Sequence, residues 1–318
     1  MGTVFIDRKD IEIKTDGNTL VFYSNGKKEG SLPLTPLKKI VIIGNVKIET
    51  SVIYRLVKNE VSIAFFTGRL HYCGTIYGPL HNNGLLRVKQ YEKSLSEFSN
   101  VYATDLVKRK LTSQINFVKK MKELKPVFTM TFERAEKLIG QILRKLDNKE
   151  INLESLRGFE GAASSVYFSS YCKIFPNSLK FRKRQKRPPR DPVNAMLSLC
   201  YTLLHYEFVR EIQLIGLDPT IGFYHQFDYG RESLACDLVE LFRVHVDEFV
   251  FQLFRDKTFT ARDFMKDSDS GGVYLKKSGR KNFYPLYEEW ANQHRAIWRE
   301  EVQALARKLL EEKDTISY

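Results

Sequence analysis

The chain has 318 residues, 43% of them hydrophobic and 13% aromatic, so it is long and apolar enough to bury a core and is not intrinsically disordered. Its formal net charge of +13 indicates a polyanionic partner, with nucleic acid first and an acidic membrane surface second, although a merely basic protein is an alternative. No stretch approaches about 18 uninterrupted apolar residues and no signal-peptide pattern is visible, so we expect no membrane association and a cytoplasmic protein.

Residues 1–85 predict β-structure, because apolar and polar side chains alternate with the two-residue period of half-buried strands. Asp16-Gly17 and Asn25-Gly26 are hairpin-turn signals, and Gly44-Asn45 interrupts a further β-rich run. Residues 50–60 have the spacing of one short helix. Many short strands in one block predict a small β-sandwich-like domain over residues 1–85.

From residue 86 onward the apolar residues recur at helical spacing, which predicts a larger all-α domain over residues 86–318 and an α+β fold class overall. Residues 85–124 contain no proline or glycine, so one helix is predicted there, ended or kinked by Pro126. Further helices are predicted over residues 131–150, 151–175 and 192–216, over the second half of 222–240 continuing to 255, and as a pair within 285–312.

Two carboxylates interrupt one of these apolar helices. Asp237 and Glu240 are three residues apart and therefore share a helix face, and His225 lies just upstream. Carboxylate oxygens suit Mg²⁺ and Mn²⁺, and Mn²⁺ also accepts a histidine. The alternative is a solvated acidic stripe beside one hydrogen-bonded histidine. The apolar surroundings count against that alternative, because a buried acid needs a proton, a partner or a metal.

A further acid, Glu160, lies in the segment LRGFEGAASSVYF between small residues, among them Gly158 and Gly161. Each glycine costs a helix roughly 1 kcal/mol relative to alanine, so its presence needs a reason. One interpretation is that Glu160 is presented where another helix or a phosphate comes near. The other is a tight helix crossing with Glu160 at its rim.

Seven of the eleven residues of the segment Lys180–Arg190 are basic and none is acidic. Pro188 and Pro189 prevent a helix at its end, so we predict an exposed, mobile loop that binds phosphates. A solvated linker is the alternative. Residues 271–284 mix glycine, basic and aromatic residues, and form either a nucleic-acid contact or a plain hairpin.

Other catalytic sites are not indicated by the sequence. His205 and Glu207 are two residues apart and do not share a helix face, so no common site is expected for them. Walker A, G-x-S-x-G, H-E-x-x-H and G-x-G-x-x-G motifs are absent from the sequence, which argues against ATP hydrolysis, serine-hydrolase, zincin and NAD chemistry.

Three segments taken together resemble the CRISPR-associated protein one family of spacer-acquisition integrases and endonucleases: LRGFEGAASSVYF, DPVNAMLSLCYTLLHYEFVREIQLIGLDPTIGFYHQ and GRESLACDLVELFR. The resemblance implies an amino-terminal β-domain and a helical catalytic domain. The family's metal-site positions match Glu160, His225 and Glu240, which are therefore predicted as catalytic metal ligands for one Mg²⁺ or Mn²⁺ per subunit. Asp237 is predicted to support them.

The resemblance also implies an activity and its partners. The expected reaction is metal-dependent insertion of prespacer DNA into a CRISPR array, by attack of a 3′-hydroxyl on a repeat-boundary phosphodiester. The expected partners are DNA, a second copy bound through the β-rich domain, and CRISPR-associated protein two, in a prokaryotic cytoplasm. The predicted DNA contacts are Lys180, Arg182, Lys183, Arg184, Lys186, Arg187, Arg190, Arg231, Lys276, Lys277 and Arg280.

Three alternatives to this function stay open at the level of sequence. The first is a metal-dependent nuclease that cuts branched DNA in repair and joins nothing. The second is a non-enzymatic DNA-binding scaffold whose acids are structural. The third is a casposon-type transposon integrase, which shares the fold.

Overall fold

The computed structural model describes residues 2–68, 70, 72–78, 81, 83–147, 151–225 and 227–311. The chain divides into two compact units, Met1–His81 with Lys281–His294 and Asn82–Arg280 with Arg295–Tyr318. The first unit is rich in strands and the second in helices, so the predicted α+β class is confirmed.

The first unit contains two four-stranded sheets. In chain order its elements are β1 (Thr3–Ile6), β2 (Ile11–Asp16), β3 (Thr19–Ser24), β4 (Lys27–Pro33), β5 (Lys39–Ile43), β6 (Val46–Ile48), α1 (Thr50–Lys58), β7 (Ser62–Phe66) and β8 (Tyr72–Ile76). One sheet has the order β1-β5-β7-β8 and the other β4-β3-β2-β6. β1, β5 and β7 run parallel, whereas β2, β3 and β4 form antiparallel hairpins.

A shared apolar core joins the two sheets, which confirms the sandwich-like prediction. Ile13 and Leu20 contribute to it from one sheet, Ile40 and Ile63 from the other, and α1 adds Val52. All five side chains are at most 1% exposed. The alternating pattern of the sequence therefore reports one buried face on each sheet.

The predicted turns are also present. Asn25 and Gly26 link β3 to β4 and both have positive φ, 50° and 75°. Two successive residues with positive φ are the requirement of a type I′ hairpin turn, which explains the Asn-Gly pair.

The segment Lys281–His294, which the sequence grouped with the helical domain, belongs to the first unit instead. The backbone N–H of Thr3 donates to Glu288 Oε1 at 2.8 Å, and the ring of Phe5 stacks on that of Tyr284 with centroids 4.3 Å apart. Both contacts involve β1, the edge strand of its sheet, and such an edge strand needs cover or pairing.

The second unit is mainly helical. Its elements are α2 (Gly84–Ser94), α3 (Glu97–Leu124), α4 (Thr129–Asp147), α5 (Leu153–Tyr171), α6 (Pro192–Ile215), α7 (Ser233–Arg255), β9 (Phe264–Lys266) and β10 (Val273–Leu275), and α8 (Lys277–Glu311) begins and ends in it. The all-α prediction is wrong in one respect, because β9 and β10 form an antiparallel pair. Residues 271–284 thus supply the second strand of a hairpin and the start of α8.

Two helix boundaries differ from the prediction. The single helix expected over residues 85–124 is divided into α2 and α3, because Ser96 caps α3 by accepting the N–H of Phe98 at 3.3 Å. The pair expected within 285–312 is one helix in the described residues, although it contains Pro285. The buried side chains of Phe283 and Tyr287 anchor the helix on both sides of the proline.

α6 and α7 form the centre of the second unit, and most of their residues are buried. Asp191 caps the start of α6 by accepting the N–H of Asn194 at 2.9 Å, and Gly216 ends it with φ 101°. The helix predicted over residues 192–216 is therefore confirmed, including its end. Within the described part of the chain, no helix has the length and apolar character needed to cross a membrane.

Candidate metal centre

The two acids of α7 that the sequence singled out, Asp237 and Glu240, are buried. Asp237 is 0% exposed and Glu240 is 6% exposed, while Leu234 and Leu238 pack around them with no exposure at all. The alternative of a solvated acidic stripe is therefore wrong. Each buried carboxylate must instead have partners within the protein, and both do.

Asp237 binds the segment that carries His225. Its Oδ2 accepts the backbone N–H groups of Phe223 at 2.6 Å and Tyr224 at 3.0 Å. Its Oδ1 accepts the backbone N–H of His225 at 2.9 Å and lies 2.6 Å from Nδ1 of the same residue. A carboxylate only accepts, so Nδ1 of His225 carries the proton of this hydrogen bond, and Nε2 is the ring nitrogen that Asp237 does not engage.

This binding requires a glycine at position 222. A Cβ atom on Gly222 would lie 2.7 Å from the carbonyl carbon of Ser233 and 2.8 Å from Asp237 Oδ2. The segment can approach the first turn of α7 only because that atom is missing. The segment Gly222–His225 thus has a steric requirement at its first residue and a hydrogen-bonding requirement at its last.

Lys110 of α3 joins the two glutamates. Its buried ammonium group donates to Glu160 Oε1, from α5, and to Glu240 Oε2, from α7. Ser164 also donates to Glu160 Oε1 at 2.7 Å, and Nε of Arg243 donates to Glu240 Oε1 at 2.7 Å. Two carboxylates from different helices therefore converge on one cation position.

Lys110 is a residue of the centre to which the sequence analysis assigned no role. Its signal is a lysine in the apolar stripe of a long helix, between the buried residues Leu106, Val107 and Leu111. A buried lysine without an anion is costly, so this position already required nearby carboxylates. The sequence does not say which ones.

Glu240 is held in its ionised form. Burial acts to raise its pKa, but Arg243 and Lys110 together keep the pKa of Glu240 well below its ordinary value, and His225 acts in the same direction. The neighbouring Tyr224 shows the opposite effect, because burial together with the charges of Glu160 and Glu240 raises the pKa of its hydroxyl. The centre is thus a place of concentrated negative charge balanced by fixed cations.

Glu160 and His225 line one pocket of about 550 Å³, together with Arg157, Tyr224, Phe227, Asp228 and Arg231. Across the described ranges, however, no three His, Cys, Asp or Glu side chains are arranged to hold a metal ion between them. The donor set still fits a hard divalent cation, because Glu160 and Glu240 already share one cation and His225 has its second nitrogen available. In this structure the Lys110 ammonium occupies the position between the two glutamates.

The glycines beside Glu160 do not serve a tight helix crossing. A Cβ atom on Gly158 or Gly161 would meet no atom within 4 Å. The interpretation of close helix packing is therefore wrong at these two positions. The other interpretation, access for a ligand, stays a prediction.

The basic segment Lys180–Arg190 is only partly the exposed loop that the sequence predicted. Phe181 and Pro189 are buried in it. The Arg184 guanidinium is engaged within the protein, donating to Asn194 Oδ1 at 2.9 Å and Ser198 Oγ at 3.1 Å. The segment is therefore anchored on α6, and apolar residues between its charges were the signal for that anchoring.

The predicted DNA contacts differ in their exposure. Exposed side chains belong to Lys180, Arg182, Lys183, Lys186, Arg187, Arg190, Lys276 and Lys277, while Arg231 and Arg280 are half-buried. Repulsion by Arg243, and then the partial desolvation of the side chain, lower the pKa of Lys186, while Glu240 acts to raise it. Arg231 lines the same pocket as Glu160.

The expectation that His205 and Glu207 form no common site is confirmed, because each has a different partner. His205 Nε2 lies 3.3 Å from Glu232 Oε2, and Glu207 Oε1 accepts from Arg295 at 3.0 Å. Neither group belongs to the pocket described above.

Comparison with known proteins assigns the chain to a family. The model of the CRISPR associated protein Cas1 family matches residues 4–289. The chain is 66% identical over 317 residues to CRISPR-associated endonuclease Cas1 1 of Thermodesulfovibrio yellowstonii, with 100% of both sequences covered. The chain therefore belongs to the Cas1 family, as its sequence resemblance implied.

Solved structures agree with this assignment. A CAS1 protein from Thermotoga maritima superposes with a TM-score of 0.82 at 26% identity, covering 100% of each chain. A casposase bound to an integration product shares the fold, with a TM-score of 0.84 at 21% identity over 100% of this chain and 93% of that chain. Family membership and the relative named as an endonuclease support a nuclease or integrase of CRISPR adaptation.

Proposed function

We propose that this chain is a metal-dependent DNA endonuclease and integrase that inserts new spacer DNA into a CRISPR array, by 3′-hydroxyl attack on repeat-boundary phosphodiesters. The observation that carries the proposal is the convergence of Glu160 and Glu240 on one cation position, beside an oriented His225. The predicted ligands come from three separate segments: Glu160 and Glu240 share the Lys110 ammonium, and Glu160 and His225 line one pocket. Membership in the Cas1 family supports the same activity.

In the proposed active state Glu160, Glu240 and Nε2 of His225 would hold one Mg²⁺ or Mn²⁺. When bound, such an ion supplies Lewis-acid polarisation of the phosphodiester that reacts. Asp237 keeps the imidazole in the required tautomer and orientation, because its oxygens hold both the ring and the backbone of His225.

The other charged groups act on the DNA and on the glutamates. Arg243 keeps Glu240 ionised whichever cation is bound, since its own hydrogen bond is to the other oxygen, Oε1. Once the glutamates held a metal ion instead, the ammonium group of Lys110 would remain in the buried site as a cation close to the reacting phosphate. The exposed basic residues around Lys180–Arg190 hold the DNA backbone by neutralising phosphates.

The proposed partners follow from the family. They are prespacer and repeat DNA, a second copy bound through the β-rich unit, and Cas2. A complex of Cas1 with Cas2 is among the solved structures that share this fold. The net charge of +13 supports the nucleic-acid part of this assignment.

Glu240→Gln tests the proposed function. The substitution keeps the shape of the side chain and removes the charge, and loss of a direct metal ligand should lower activity by at least about 100-fold, since outer groups alone cost about 10–100-fold. The assay follows cutting and joining of a prespacer oligonucleotide on a supercoiled array plasmid, with Mn²⁺, Mg²⁺ or a chelator. DNA binding should persist.

The matched control is Glu248→Gln, on the same helix, where the carboxylate pairs with Lys120 at the surface. It should retain full activity. Unchanged activity of Glu240→Gln, or activity that survives the chelator, would contradict the proposal. Cutting of branched DNA without joining would indicate a repair nuclease, and DNA binding without either reaction would indicate a scaffold.

A further inference from the structure

Three charged residues form one stripe along α7, and the stripe begins at the metal centre. Glu240, Arg243 and Asp247 follow each other at intervals of three and four residues, so they share a helix face. Arg243 therefore lies between two carboxylates. Both oxygens of Asp247 already accept hydroxyl groups, Oδ1 from Tyr201 of α6 and Oδ2 from Tyr167 of α5 at 2.8 Å. Asp247 is thus satisfied without the guanidinium group, which bonds to Glu240 instead.

The ring of Tyr201 lies against Arg243. The guanidinium carbon of Arg243 is 4.6 Å from the ring centroid, within the distance of about 6 Å at which a cation is attracted to an aromatic face. Tyr201 is 7% exposed and its hydroxyl group is held by Asp247, so the ring has a fixed position. Arg184 of the basic segment lies over the same ring, 5.4 Å from its centroid. The guanidinium group of Arg243 is therefore supported by a ring that is itself held in place.

The hydrogen bond between Arg243 and Glu240 uses one atom of each side chain. Nε of Arg243 donates to Oε1 at 2.7 Å, while Oε2 accepts from Lys110. A guanidinium group paired with a carboxylate frequently forks across both of its oxygens. A forked pair would engage Oε2, the oxygen that now faces the ammonium group. The single contact therefore calls for a restraint on the guanidinium group, and the ring of Tyr201 is in the position to supply it.

We propose that Tyr201 is a positioning residue whose ring restrains Arg243 to one oxygen of Glu240. The other oxygen thereby stays available to the cation that Glu160 shares. The inference rests on the proposed function and deepens it, because that cation is a metal ion in the proposed active state. Tyr201 acts only through Arg243 in this scheme and takes no part in the chemistry.

The test measures Mn²⁺ binding by calorimetric titration of the full-length protein without DNA. Tyr201→Leu removes the ring, so the guanidinium group is free to fork across the carboxylate of Glu240 and to compete with Mn²⁺. The affinity should fall about tenfold, the lower end of the range for groups that orient metal ligands. Tyr201→Met is a second variant without the ring, because methionine fills irregular gaps in cores and so preserves the fold. Tyr201→Phe keeps the ring and should bind Mn²⁺ within about twofold of the wild type.

Thermal unfolding separates positioning from a merely structural role. Tyr201→Phe leaves Asp247 without one of its two hydroxyl donors, so it should lower the melting temperature while the Mn²⁺ affinity stays. The matched control is Phe208→Leu on the same helix, where a buried ring packs against Phe242 and Trp298. It should also lower the melting temperature and leave the Mn²⁺ affinity unchanged.

A double-mutant cycle tests whether Tyr201 acts through Arg243. In the Arg243→Gln protein the guanidinium group is already gone, so Tyr201→Leu should change the Mn²⁺ affinity by less than about twofold. A tenfold loss that persists in this background would overturn the inference. Mn²⁺ affinity that is unchanged in both variants without the ring would also overturn it, as would an equal loss in Tyr201→Phe or in Phe208→Leu.

These outcomes are distinguishable from failure of the proposed function. Each of them leaves that function intact, because it depends on the activity of the Glu240→Gln protein and on the effect of the chelator. A wild type that binds no Mn²⁺ at all would overturn both proposals.

Discussion

The carboxylate of Asp237 holds His225 twice, through the backbone N–H at 2.9 Å and through ring Nδ1 at 2.6 Å. One fully buried acid thus determines the position, the tautomer and the ring direction of the histidine. These hydrogen bonds make α7 the rigid support of the whole centre, because the same helix also carries Glu240. Changes that disturb this support should affect His225 before they affect the fold.

Although Asp237→Asn changes only one side-chain group, it should therefore lower both the stability and the activity of the protein. The amide NH₂ group would face N–H donors that the carboxylate now accepts, leaving about 1–3 kcal/mol of unsatisfied hydrogen bonding in the free energy of unfolding. Activity should fall about 10- to 100-fold, as for other groups that orient a metal-binding histidine. Urea unfolding and the joining assay measure the two effects. Asp256→Asn, at the surface end of α7, is the control and should change neither, and a silent Asp237→Asn would contradict the prediction.

Gly222→Ala should shift the His225 segment away from α7, because the new methyl group would lie 2.7 Å from the backbone of Ser233. We expect a loss of about 1–3 kcal/mol in stability, the range for overpacking, together with a loss of activity. Gly161→Ala is the matched control, since its methyl group meets nothing within 4 Å, and it should stabilise α5 by about 1 kcal/mol.

The same pair of variants also tests why Gly161 is there. A Gly161→Ala protein that is more stable yet inactive would indicate that DNA needs the space beside Glu160. Equal stability of the two variants would contradict the steric argument for Gly222.

In the wild type the ammonium group of Lys110 neutralises the carboxylates of Glu160 and Glu240. The Lys110→Met variant should instead depend on added metal for this neutralisation. Without the ammonium, Glu160 and Glu240 lose a shared cation, so the metal-free protein should lose about 1–3 kcal/mol of stability, less than the cost of a fully isolated buried charge because Arg243 remains. Mn²⁺ should bind roughly tenfold more tightly, since no internal cation competes with it for the carboxylates. Calorimetric titration and thermal unfolding with and without Mn²⁺ measure both effects.

Lys120→Met is the control for Lys110→Met, because Lys120 pairs with Glu248 at the surface. It should change neither the metal affinity nor the melting temperature of the metal-free protein. Mn²⁺ binding that is unchanged or weaker in Lys110→Met would show that the ammonium does not occupy the place of the ion.

His205 should make stability depend on pH. Burial acts to lower its pKa, but hydrogen bonds to Cys236 and Glu232 more than offset burial and raise the pKa of His205 from 6.5 to about 9. A folded-state pKa above the unfolded one stabilises the protein fully below pH 6.5, and this contribution is lost as pH rises through about 9. We expect a fall of about 1–3 kcal/mol across that window. In His205→Gln the fall should shrink, and an unchanged pH profile would contradict the assignment.

Residues of the basic segment should separate into two classes. Arg182→Ala and Lys183→Ala remove exposed charges, so each should weaken DNA binding for every sequence and lower the salt slope by about 1, with no change in melting temperature. Arg184→Ala removes the bonds to Asn194 and Ser198 and should instead lower the melting temperature. Filter binding at several salt concentrations, together with thermal unfolding, distinguishes the classes. Identical behaviour of all three variants would contradict the division.

The sequence alone predicted the two kinds of structure and the elements that carry the centre. The alternation of apolar and polar residues in residues 1–85, and the helical spacing of apolar residues after them, are local consequences of burying one face of a strand or helix. Both patterns are therefore visible in the amino-acid sequence alone. It did not predict the break at Ser96, the hairpin of β9 and β10, or the continuity of α8 past Pro285. In those places capping and tertiary packing outweigh the periodic signal.

The sequence by itself determined that Asp237 and Glu240 share a helix face, that Glu160 and His225 accompany them in a family pattern, and that the protein is strongly basic. Only the tertiary structure decided which groups meet. It brings Lys110 between the two glutamates and joins Asp237 to His225 by hydrogen bonds. It also hydrogen-bonds Arg184 to Asn194 and leaves Tyr229 exposed to solvent. The physical reason is that hydrogen bonds and charge pairing act over a few ångströms between residues as many as 130 positions apart, whereas periodicity records only the burial of each segment's own face.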